Sequence, residues 1–124
     1  MSNYEEHILR ILLRERIIFE REKTYQDLKN GRFRFDYYLP QLNILLEIDG
    51  EQHFHYVSKF FRNRQDFLKA REHDRRKNSY CLANNIKLYR IPYWELKNIN
   101  NSADIFNPKF LVRTRWHNDN ITEE

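Results

Sequence analysis

A single cysteine, Cys81, is present in a chain of 124 residues, so neither an intrachain disulfide nor a cysteine-based zinc site can form. A reducing compartment is the simplest context. Two glycines and three prolines are too few for a disordered or low-complexity chain. No apolar run approaches the ~18 residues of a membrane span, and no signal peptide is evident. No membrane association is expected, and the expected location is the cytoplasm, that of the host if the chain is virus-encoded. The length predicts a single domain over 1–124, with a core of about 2–95 and a C-terminal extension over 96–124.

Charge and aromatic residues are abundant instead. Twenty-two Lys and Arg outnumber 18 Asp and Glu, giving a net charge of +4, and 15% of residues are aromatic. A basic chain that keeps a local acidic cluster suits a polyanion with a cation between the two.

That cluster lies in the stretch 32–55, RFRFDYYLPQLNILLEIDGEQHFH. Phe33, Phe35, Tyr37 and Leu39 alternate with Arg34, Asp36 and Tyr38, and Leu42, Ile44, Leu46 and Ile48 alternate in the same way. Period-2 alternation predicts two strands, joined at Pro40-Gln41. Glu47 and Asp49 are two apart and share a face, and Asp36 lies on the polar side of the preceding strand. Three such carboxylates repel one another unless a divalent cation takes oxygen ligands from them. Asp36, Glu47 and Asp49 are therefore the candidate metal ligands, with Mg²⁺ or Mn²⁺ as the expected ion.

Elsewhere, the spacing of Ile8, Leu9, Leu12 and Leu13 predicts a helix over 2–16, with Ser2 and Glu5 at capping-box spacing. Residues 17–25 read as an edge or half-exposed strand. Residues 54–64 interleave aromatic and basic side chains, a pattern suited to phosphate contact and base stacking. A second helix is predicted over 65–84, placing Phe67, Arg71, Asp74, Asn78, Cys81 and Leu82 on one stripe, with Lys69, Glu72, Arg75, Arg76 and Lys77 on a solvated face. Asp74 on that stripe needs a partner, either an arginine or the hairpin site. Residues 86–91, IKLYRI, read as a fourth strand, and 94–99 as a short helix. Phe106, Phe110, Leu111, Val112 and Trp116 are too apolar to be left unpacked. The candidate nucleic-acid contacts are Lys59, Arg62, Arg64, Lys69, Arg75 and Arg76.

The order α-β-β-β-α-β predicts an α/β fold, a central mixed sheet of about four strands flanked by helices. A helical Glu, then Asp36 in FDYYLP, then Glu47-Ile48-Asp49, resembles the PD-(D/E)XK nuclease superfamily over residues 1–95. The resemblance implies a restriction-endonuclease-like core and metal-dependent endonuclease activity. Phe35 replaces the family's proline, and Asp49 falls where the family usually has lysine. LLEIDGEQHF followed by REHDRRKNSYCLANNIKLYRI is similar to the very-short-patch-repair-like and EDxHD homing endonuclease branch, in which a histidine and a second-helix aspartate replace that lysine. This branch implies Glu5, Asp36, His53 and Asp74 as its E, D, H and D. His55 shares a strand face with His53 if the strand extends, and is the substitute for it. The repair enzymes also carry a cysteine-bound zinc, which this chain lacks.

The implied reaction is phosphodiester hydrolysis in DNA, of nicking or homing type. Asp36, Glu47 and Asp49 would hold the ion, Glu5 would assist, His53 would be the general base and Asp74 its orienter. Three alternatives are carried. One is a junction resolvase of the phage type, which would need a homodimer. The second is an RNA endonuclease with the same site. The third is a non-catalytic nucleic-acid-binding module.

Overall fold

The computed structural model describes residues 2–123. In chain order these form α1 (Asn3–Arg14), β1 (Glu20–Lys23), β2 (Phe35–Leu39), β3 (Ile44–Asp49), α2 (Arg64–Ala83), β4 (Lys87–Pro92) and the short α3 (Ser102–Ile105), with 3₁₀ turns between and after them. The four strands make one open mixed sheet in the order β1-β2-β3-β4. β1–β2 and β2–β3 are antiparallel, and β3–β4 is parallel, with α2 as the crossover. The fold is α/β, with the element order that the hydrophobic periods predict.

Helices cover both faces. Ile8, Ile11 and Leu12 of α1 pack with Ile44, Leu46, Ile48 and Ile91 of the sheet. On the other face, Cys81 of α2 packs with Phe35, Leu45 and Leu88. β3 is consequently buried along its whole length, as expected of a central strand covered on both sides. Only such a strand forces Glu47 and Asp49 out of water.

Three expectations change. β1 is confined to Glu20–Lys23, and Glu22 within it has a positive φ of 54°, a left-handed break that the alternating charges do not reveal. Phe33 and Phe35 do not share a side with Tyr37 and Leu39. The first two pack on the α2 side and the last two on the α1 side, so the chain rolls over at Asp36. Leu82 is exposed rather than on the buried stripe of α2.

The C-terminal extension belongs to the core. Ile99, Ile105 and Phe110 fill the α1 side and Val112 the α2 side. The Val112 N–H donates to the Leu88 carbonyl at 2.8 Å, and Leu111 bridges Tyr89, so this segment covers the outer edge of β4. Among the described residues no helix is long and apolar enough to cross a membrane.

Candidate active site

The β2–β3 ladder stops at Tyr37 opposite Leu46. The next backbone donors are taken by side chains. The Asp36 N–H donates to Glu47 Oε1 at 2.9 Å, and the Ile48 N–H donates to Asp36 Oδ2 at 2.7 Å. Two carboxylates thus replace ladder bonds where the strands part, which fixes both side chains against the backbone. Lys77 reaches the same fork from α2, with Nζ 3.1 Å from Glu47 Oε2 and also donating to the Arg34 carbonyl. Its place on the solvated face is therefore corrected: the ammonium lies inside, 5.1 Å from the centre of the Phe35 ring.

Burial, and then the neighbouring Glu47, push the Asp36 carboxyl well above the usual carboxylate range, with Lys77 only partly offsetting them. Glu5 stands nearby, its Oε2 paired with Arg21 at 3.0 Å, while Ser2 Oγ caps the Glu5 N–H at 3.1 Å. The fork is short of positive charge.

Asp49 lies elsewhere. Arg90 Nη1 donates to both its oxygens, at 2.9 and 3.0 Å, and Asn118 Nδ2 donates to Oδ2 at 3.1 Å. Arg90 is fully buried; its Nε donates to Asn78 Oδ1 at 2.7 Å, and its guanidinium lies 3.6 Å from Asp74 and 3.8 Å from Glu47. Asp49, expected as a third ligand, has both oxygens on Arg90 and one also on Asn118, and among the described residues it does not join Asp36 and Glu47 in a group of three arranged to hold a metal.

His53 follows β3 in a 3₁₀ turn, Glu51–His53, so the strand does not continue to His55. Its Nδ1 is 2.7 Å from Asp74 Oδ2 and 3.4 Å from Asp49 Oδ1. His55 is exposed and faces Glu123 at 3.8 Å. Asp74 answers both of its expected partners at once, the histidine and a buried arginine. Burial works against the charge on His53, but Asp49 and Asp74 outweigh it and lift the pKa to about 9. Burial likewise opposes the charge on Asp74, yet Arg90 and His53 hold that carboxyl well below the usual range. The two carboxylates thus favour the protonated ring, in which both nitrogens are donors. A protonated ring has no lone pair to offer, so the expected general-base role belongs to the neutral form that these carboxylates disfavour.

The basic residues divide. Lys59, Arg62, Arg64, Lys69 and Arg76 are exposed. Arg75 is not free: its Nε donates to Asp119 at 2.9 Å and it lies on the Trp116 ring. Of the interleaved aromatics, Phe54 packs on Trp94, and Tyr56 and Phe61 on Phe67, while Phe60 stays exposed.

Mg²⁺ takes one or two carboxylates and completes its shell with water and phosphate oxygens. Asp36 and Glu47 fit that donor set, and the raised Asp36 carboxyl marks where positive charge is wanting. Among the described residues no group of three or more His, Cys, Asp or Glu side chains is arranged to hold a metal, so the fit rests on these two.

Arg90, Lys77, Asn78 and Asn118 carry no motif. The available signal is Arg90 itself, the inner of two cations in the strand IKLYRI; Lys87 at its start is exposed, whereas burial of Arg90 demands carboxylates.

No family model matches the chain. No solved structure matches it. Over 67 residues it is 34% identical to Uncharacterized protein 307L of Invertebrate iridescent virus 6, a match over 52% of this chain and 34% of that protein. Over 75 residues it is 37% identical to Uncharacterized protein 094L of Frog virus 3 (isolate Goorha), over 59% of this chain and 48% of that protein. These matches thus span a third to a half of the length of the curated relatives.

Proposed function

We propose that the chain is a virus-encoded, metal-dependent endonuclease that hydrolyses phosphodiester bonds in DNA on a restriction-endonuclease-like core. The observation that carries the reading is the β2–β3 fork, where Asp36 and Glu47 meet with a lysine against Glu47. The element order around it and the basic surface support it. Mg²⁺ or Mn²⁺ at Asp36 and Glu47 would stabilise charge on the phosphate and lower the pKa of water.

This chain's own groups do the rest. Lys77 orients Glu47 and places an ammonium beside the scissile phosphate, supplying the cation that the position of Asp49 does not. His53, tethered by Asp74 through Nδ1, presents Nε2–H as a donor to a phosphate oxygen or to the departing alkoxide. Asp49 and Arg90 hold the frame. Glu5 with Arg21 closes the rim. Lys59, Arg62, Arg64, Lys69 and Arg76 bind the backbone.

The test is incubation with supercoiled plasmid and Mg²⁺ or Mn²⁺, with a chelator control. Metal-dependent nicking is expected, together with a folded, inactive Asp36→Asn. Absence of cleavage, or a fully active Asp36→Asn, overturns the reading. Four-way junctions and single-stranded RNA in the same assay rank the resolvase and RNA alternatives.

A further inference from the structure

We infer that Asn118, on the C-terminal segment, is a positioning residue for His53: together with Arg90 it occupies Asp49, so that the imidazole Nδ1 is left to Asp74. The inference deepens the nuclease reading, in which the aim of His53 Nε2 matters.

The His53 Nδ1–H has two suitors, Asp74 Oδ2 at 2.7 Å and Asp49 Oδ1 at 3.4 Å. Asp49 is wholly buried and Asp74 nearly so, and a buried carboxylate seeks every donor within reach. What holds Asp49 back is that both its oxygens accept from Arg90 Nη1, and that Asn118 Nδ2, donating to Oδ2 and not to the Oδ1 that faces His53, pins the carboxylate in that orientation. The choice of carboxylate fixes the ring, and the ring fixes where Nε2 points.

Asn118 is not needed to anchor its own segment. Asp119 pairs with Arg71 and with Arg75, Arg115 pairs with Glu72 at 3.1 Å, and Asn78 donates to the Arg115 carbonyl at 3.0 Å. The Asn118 amide has its nitrogen on Asp49, while its buried Oδ1 has no hydrogen-bond partner. An amide flip would set oxygen against carboxylate, so the orientation is fixed by Asp49. A buried acceptor left unpaired costs stability, and a role confined to holding the fold does not explain why it is kept.

The test reads the His53 Nδ1–H resonance in ¹⁵N-labelled full chain at mildly acidic pH, in wild type and in Asn118→Ala. In the wild-type background, Asp74→Asn should move that resonance far more than Asp49→Asn. In the Asn118→Ala background the order should level or reverse. Plasmid nicking by Asn118→Ala should fall by up to about 100-fold in kcat with KM little changed, as for a misaimed group. If Asn118→Ala leaves the resonance governed by Asp74 alone, the inference is overturned whatever the activity. If the resonance switches carboxylates while even the wild type fails to nick, the positioning stands and the nuclease reading falls. Asn118→Ser, which keeps a donor, should restore the wild-type order; if the alanine variant does not fold, Asn118→Leu, which keeps the volume and removes the donor, is read in its place, with the same expected and overturning results.

Discussion

Two acidic pairs lie one strand-step apart in this molecule and behave oppositely. At the node, Asp49 and Asp74 face Arg90 and His53, whose protonated form they favour and which would match their charge. At the fork, Asp36 and Glu47 have one close ammonium, Lys77, and the more distant edge of Arg90. Asp74 is therefore held below the usual carboxylate range while Asp36 is pushed above it, in both cases against or with the same burial. The contrast teaches that a count of neighbouring acids does not locate a cation site. What locates it is the acid left without a counter-charge after the internal arginines and lysines have been assigned.

The largest effects should separate the pairs. Asp36→Asn should lower nicking by about 10³-fold or more, because several kcal/mol of charge stabilisation depends on that ligand. Its melting temperature should hold or rise, since a repulsion is removed. Asp49→Asn should do the reverse in stability, leaving Arg90 under-compensated. Calorimetry showing Asp36→Asn as the less stable of the two would break the comparison. Arg90→Met should cost about 3–5 kcal/mol in urea unfolding, because Asp49 and Asp74 would stay buried without their guanidinium. A loss below about 1 kcal/mol would mean that those carboxylates protonate or reach water.

Lys77→Met comes next. A cation placed at developing charge is worth about 10²–10³ in kcat, and single-turnover nicking would measure it. His53 sharpens the comparison through pH. Its folded pKa of about 9 lies above the ordinary value of 6.5, so its stabilising contribution is full below 6.5 and is lost as pH rises through 9. The melting-temperature difference between wild type and His53→Gln should shrink over that window. As a donor through Nε2, the ring should also let the rate fall toward alkaline pH. A rate that falls on acidification near neutrality would return His53 to the base role that its sequence context suggests.

Much of this is legible in the sequence. α1, α2 and the hairpin carry clear periods, and spacing and resemblance together reach Asp36, Glu47, His53 and Asp74. His53 is separable from His55 only once the strand ends at Asp49 and a 3₁₀ turn follows. Lys77 escapes because a helical wheel reports the direction of Cβ, not the reach of a four-carbon stem toward Glu47. Arg90 becomes meaningful only when the parallel register sets it opposite Glu47, a long-range fact. Asn118 sits in a segment without any period, docked by ion pairs to α2 rather than by a hydrophobic stripe.

The smallest expected effect concerns binding, and it extends the same distinction from acids to bases. Arg64 and Arg62 are exposed; Arg62 pairs with Asp66 at 3.2 Å, an exposed pair that a phosphate displaces at little cost. Arg75 is held by Asp119 and Glu72 and stacked on Trp116. Arg62→Ala or Arg64→Ala should each flatten the slope of log affinity against log salt on duplex DNA by about 0.9, the share of a single neutralised phosphate. Arg75→Ala should leave the slope alone and lower thermal stability instead, by loosening the segment that carries Asn118. Fluorescence anisotropy over a salt series reads the first quantity and calorimetry the second. Equal flattening by Arg75→Ala would mean that Asp119 yields its arginine to DNA on binding. The C-terminal segment would then move when substrate arrives, and the node would be the part of the site that changes while the fork stays fixed.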